Sequence, residues 1–99
     1  MFGEFDTKLS DNSNWKTMHV RVYNGLYAAK TENHYKRKNY DKVLKEKLQF
    51  EIEELTINDK KDNISTYFVL TVKSKEDVIW IRSNNRLTLE YIAYHVNFS

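Results

Sequence analysis

His19, His34 and His95 are the imidazoles of this chain, and together with carboxylates such as Glu51, Glu53 and Glu90 they are the groups able to hold a metal or move protons. Their spacing argues against a metal site, because no two histidines stand four apart on one helical face. The chain has no cysteine, which excludes thiolate nucleophiles, zinc-thiolate centres and disulfides. Its two glycines, Gly3 and Gly25, cannot build a glycine-rich phosphate loop, and no Gly-x-Ser-x-Gly elbow occurs. Glu51, Glu53 and Glu54 form an acidic cluster, but in a strand Glu51 and Glu53 lie opposite Phe50 and Ile52 and make a solvated outer face. Cleavage of RNA by His, Lys and Tyr needs no cofactor, so a small dimeric hydrolase or nuclease is the enzymatic reading. No spacing selects it, and the sequence reads as a non-enzyme without metal or cofactor.

Binding chemistry is better represented. Residues 34–42, HYKRKNYDK, interleave cations with aromatic rings. Basic groups neutralise phosphates and tyrosines stack on bases, so this stretch is the candidate nucleic-acid site. It comprises Tyr35, Lys36, Arg37, Lys38, Tyr40, Lys42 and Lys47, supported by Arg21 and Lys30 if these share its face. A solvated lysine-rich surface has the same composition. The aromatic load supplies the competing and preferred reading: Tyr67, Trp80, Tyr91 and Tyr94 give large contact areas with polar handles, as protein interfaces require. An open sheet also leaves two edge strands, which invite homodimerisation or strand addition by a partner.

The elements that must position these residues follow from apolar periodicity. Met18, Val20 and Val22 alternate with polar residues before Asn24-Gly25, which predicts a hairpin with a two-residue turn and a return strand over 26–31. That register sets Val22 against Tyr27 and Val20 against Ala29. Tyr40, Val43, Leu44 and Leu48 fit one helical stripe after Asn39 as N-cap, which places the single short helix between residues 32 and 48. Residues 48–57 and 64–72 read as a second hairpin across a polar turn, with a change of parity that suggests a β-bulge between Ile52 and Leu55. A short strand follows over 78–81. Residues 87–98 fit either period, alternating at Leu87, Leu89, Tyr91 and Ala93 or forming a helical stripe at Leu87, Tyr91, Tyr94, His95 and Phe98; their β-branched and aromatic content favours a strand. Residues 1–15 show neither period and read as an irregular arm tacked down by Phe2, Phe5 and Trp15.

The expected fold is therefore α+β: one domain over residues 1–99, with an antiparallel β meander of five to six strands and one short helix. Ninety-nine residues suffice for one core, and 40% hydrophobic content is enough to fill it. A net charge of +2 names no partner, although seven Lys/Arg against three Asp/Glu over 28–48 and two against five over 49–62 make the chain locally dipolar. No apolar run approaches the span of a bilayer, and Glu4 and Asp6 stand where a secretory leader would carry cations, so a cytoplasmic location is expected. Ten Asn and no Pro favour AT-rich codons, as in many viruses, where the compartment would be the host cytoplasm. The sequence is thus read as a protein-interaction module, plausibly a viral or mobile-element accessory factor, with nucleic-acid binding second and no membrane partner.

Overall fold

The computed structural model describes residues 2–30, 40–58 and 64–98. Seven strands form one sheet: β1 (Phe2–Lys8), β2 (Lys16–Val22), β3 (Leu26–Lys30), β4 (Lys42–Leu44), β5 (Gln49–Asn58), β6 (Ile64–Lys73) and β7 (Val78–Ser83). One helix, α1 (Arg86–Phe98), closes the described chain. Every pairing is antiparallel, in the order β4-β3-β2-β1-β7-β6-β5, and the sheet curls into a half-barrel. The architecture is thus the antiparallel sheet with one helix that the pattern implies, with more strands than the five to six expected.

The first correction concerns residues 1–15. Phe2–Lys8 is no arm but the central strand, pairing Phe5 with Met18 of β2 and Thr7 with Ile81 of β7. Its inward positions are Gly3, Phe5 and Thr7, a set too mixed in polarity to register as an apolar alternation. Thr7 is nonetheless 1% exposed, and its hydroxyl satisfies itself by donating to the Phe5 carbonyl at 2.9 Å. Gly3 leaves room for a ring, since a Cβ there would stand 2.9 Å from the Phe5 side chain. Residues 9–15 are irregular, as expected.

The β2–β3 hairpin exists but is one residue out of the expected register. Val22 pairs with Leu26 and Val20 with Ala28, so Tyr23, Asn24 and Gly25 make a three-residue turn. A slip of one residue exchanges the faces of a strand. The observed register buries Leu26 and Ala28 completely, whereas the expected one would have sent Tyr27 inward. Asn24 and Gly25 take positive φ angles of 53° and 147°, and a Cβ on Gly25 would meet the Leu44 carbonyl oxygen at 2.7 Å.

The helix expected within 32–48 is absent from the part of that segment that is described; residues 31–39, Asn39 included, lie outside the described residues. Residues 42–44 instead form β4, where Leu44 turns inward against Leu26 and Val43 turns outward, so the supposed stripe is split between two faces. Asp41 fixes this edge: its N–H donates to the Ala28 carbonyl at 2.8 Å and its carboxylate accepts the Lys30 N–H at 2.7 Å. Lys47, at φ 53°, ends any helical path. The β5–β6 hairpin is as expected, but its ladder runs unbroken from Gln49 opposite Lys73 to Asn58 opposite Ile64, without a bulge. Leu55 simply faces the other side, which an edge strand tolerates.

Residues 87–98 belong to a helix, correcting the strand reading. Asn85 caps it by accepting the Leu87 N–H on Oδ1 at 3.0 Å. Arg86 bridges to Glu90 one turn on, at 2.9 Å. The buried stripe is Leu89, Ile92, Ala93 and Val96, not the one containing Leu87 and Tyr91. It packs from the concave side onto Leu70, Val72, Ile79 and Ile81, with Met18, Val20, Val22, Leu26 and Leu44 completing the same core. Burying each large apolar side chain contributes about 1.5–3 kcal/mol.

Candidate interaction surfaces

The four candidate interface aromatics fall on two separate surfaces. Tyr91 and Tyr94 lie on the outward side of α1. With Leu87 they occupy positions i, i+4 and i+7 and are 58%, 59% and 71% exposed. This stripe is the densest exposure of large apolar side chains among the described residues. Tyr67 and Trp80 instead stand on the convex side of the sheet, on β6 and β7, partly exposed.

On that convex side cations bracket the rings. Arg82 sits 4.8 Å from the Trp15 ring centre and 5.8 Å from that of Tyr67, while Lys8 sits 5.8 Å from Trp15 and 5.9 Å from Trp80. Asp6 pairs with Arg82 Nε at 3.3 Å and accepts the Thr17 hydroxyl at 3.1 Å. Sequence reading passed over Trp15, Lys8 and Arg82 in this role. The signal lay in the parity of β1 and β7, which is visible only once residues 2–8 are known to be a strand.

The candidate nucleic-acid residues are dispersed. Tyr35, Lys36, Arg37 and Lys38 lie outside the described residues. The Tyr40 ring packs at a tilt against Tyr27, centroids 4.9 Å apart, Arg21 lies over Tyr23, and Lys30 and Lys47 are exposed at separate strand and turn positions. Lys42 is drawn inward, where its ammonium donates to the carbonyls of Leu9 and Val78, the latter at 3.2 Å, and pairs with Asp77 at 2.7 Å. It holds the curled edge of the sheet to β7 rather than facing solvent. The hydrogen bond from Lys42 holds the Asp77 carboxyl below its ordinary value, and the Val78 N–H adds to this at 2.9 Å.

The histidines do not converge. His19 faces the convex side beside Glu4, with Nε2 3.4 Å from the carboxylate. His95 lies on α1 across the sheet, met edge-on by Tyr91 at 4.4 Å and Tyr94 at 5.7 Å, with its buried Nε2 lacking a hydrogen-bond partner. His34 lies outside the described residues. Among the described residues no three His, Asp or Glu side chains gather where a metal could be held, and no helix is long and apolar enough to cross a membrane.

The edge strand β5 is ten residues long and, among the described residues, pairs only with β6. Glu51, Glu53 and Glu54 are exposed along it, with Glu51 and Glu53 on the convex side and Glu54 on the other. A two-fold pairing of two β5 edges centred on Glu53 would set the two Glu53 carboxylates directly opposite each other, which is unfavourable. Comparison with protein-family models, with curated proteins and with solved structures found no match to this chain.

Proposed function

We propose that this domain is a non-catalytic interaction module that engages a protein partner through α1. The observation that carries the reading is the stripe of Leu87, Tyr91 and Tyr94, turned to solvent on a helix whose opposite stripe is fully committed to the core. A helix presents itself to a hydrophobic groove through anchors at i, i+4 and i+7, and tyrosine supplies contact area at low entropic cost. Arg86 and Glu90 flank the stripe as a charged rim. The acidic β5 edge disfavours a homodimer in the register described, which supports a foreign partner. The Asn-rich, Pro-free composition supports a viral or mobile-element source.

The test is cross-linked capture from a host lysate with the wild-type protein and with Tyr91→Glu, both confirmed as folded by circular dichroism. A partner retained by the wild type and lost by the variant is expected. Capture of the same partners by both proteins sinks the reading.

A further inference from the structure

The convex side of the sheet carries a surface that the α1 reading leaves unused. An antiparallel sheet with one face on its core ordinarily turns polar side chains to water on the other. Here Tyr67 on β6, Trp80 on β7 and Trp15 from the β1–β2 connection stand there partly exposed, and among the described residues no second layer covers them. Val69, directly opposite Arg82 in the ladder, is buried although it faces away from α1. Ring and cation alternate in unbroken contact: Tyr67, Arg82, Trp15, Lys8, Trp80. Beside Arg82 opens a cavity of about 380 Å³ lined by Asp6, Tyr67, Arg82, Ser83 and Asn84.

We propose that this face binds single-stranded nucleic acid, with bases stacked on Trp15, Tyr67 and Trp80 and backbone phosphates met by Lys8 and Arg82. Stacking on aromatic side chains requires bases freed from a duplex and accepts any base, because every base has a π-face. The cavity beside Tyr67 offers the donors and acceptors of Asn84, Ser83 and Asp6 to the edge of one such base.

Charge selects a polyanion over a neutral protein surface. Asp6, the convex-facing carboxylate nearest the rings, is already paired with Arg82, and Glu4 lies beside His19. Among the described residues Lys8 has no carboxylate partner and touches only rings, so a neutral partner would desolvate it without compensation, whereas a phosphate would pair it. Glu51 and Glu53 share this side on the β5 edge and would confine a polyanion to the β7-β1-β2 region.

The experiment is a titration of the full chain with labelled oligo-dT and oligo-U, read by anisotropy and by tryptophan quenching from about 50 to about 200 mM salt. Two phosphate contacts predict a log-log salt slope of about −1.4 for a single strand. Lys8→Gln should reduce that slope by about 0.7. Trp80→Ala should weaken binding by about fivefold or more, the lower end for one lost stacking contact. Tyr91→Glu should change nothing, which separates this site from α1. Absence of binding by the folded wild type overturns the proposal, as does binding that Lys8→Gln and Trp80→Ala leave intact. Binding lost only when Lys36, Arg37 and Lys38 are neutralised together also overturns it, since the contact would then belong to the basic segment.

Discussion

The two sides of this sheet bury their side chains by different physics. On the concave side α1 seals Leu70, Val72, Ile79 and Ile81 against Leu89 and Ile92, and none of these six is accessible. On the convex side no helix or second sheet is present among the described residues, and large rings are flanked by the long side chains of Lys8 and Arg82. The first arrangement removes apolar area from water and excludes everything else. The second leaves rings reachable, because a flexible cation can be displaced by a ligand while a packed helix cannot.

The largest test of this contrast is Leu89→Ala, which creates a cavity under α1 and should lower unfolding free energy by about 2–5 kcal/mol in urea titrations. Trp80→Ala removes a ring from the convex side only, so its cost should be smaller, about 1–2 kcal/mol. If the two substitutions cost the same, the convex cluster is a second core rather than an accessible surface.

Protonation of Asp77 offers a subtler test at the rim between the two sides. Its folded-state value is depressed by Lys42 below the ordinary 3.8, so the stabilisation is present above that value and lost as pH falls through the folded one. Urea titrations at about pH 6 and about pH 3 should show a loss of stability that is smaller in Asp77→Asn than in the wild type. Smallest of all is the expected stability effect of Tyr91→Glu, within about 0.5 kcal/mol, since the ring contacts solvent and His95 rather than the core. A larger loss would show that the outward stripe of α1 is structural.

The contrast also explains what the sequence disclosed. Strands with one uniformly apolar face were legible: Met18, Val20 and Val22 in β2, Phe68, Leu70 and Val72 in β6, Ile79 and Ile81 in β7. β1 was not, because a strand flanked on both sides can use Gly3 and Thr7 where the ladder supplies the stabilisation and a neighbouring ring fills the space. α1 was misread because it carries two apolar stripes. The louder one, with its tyrosines, points to water, while the quieter Leu89, Ile92, Ala93 and Val96 makes the core. The same ambiguity that hid the helix marks its exposed stripe as lying outside the core. On the convex side, Tyr67 and Trp80 could be singled out by residue type alone, but their cationic neighbours came from β1 and β7 and needed the sheet order to be seen.

Because β1 is hydrogen-bonded to both β2 and β7, it is, among the described residues, the strand that joins the β2-β3-β4 ladder to the β5-β6-β7 ladder by backbone pairing. Its first partner, β2, follows directly in the chain, whereas its second lies some seventy residues further on, at Trp80 to Arg82. The Asp6–Lys8 end of the strand depends on that distant partner. Closure of the sheet is accordingly a long-range event, and a protease cut between β1 and β2 would disconnect a structural keystone rather than trim a loose end.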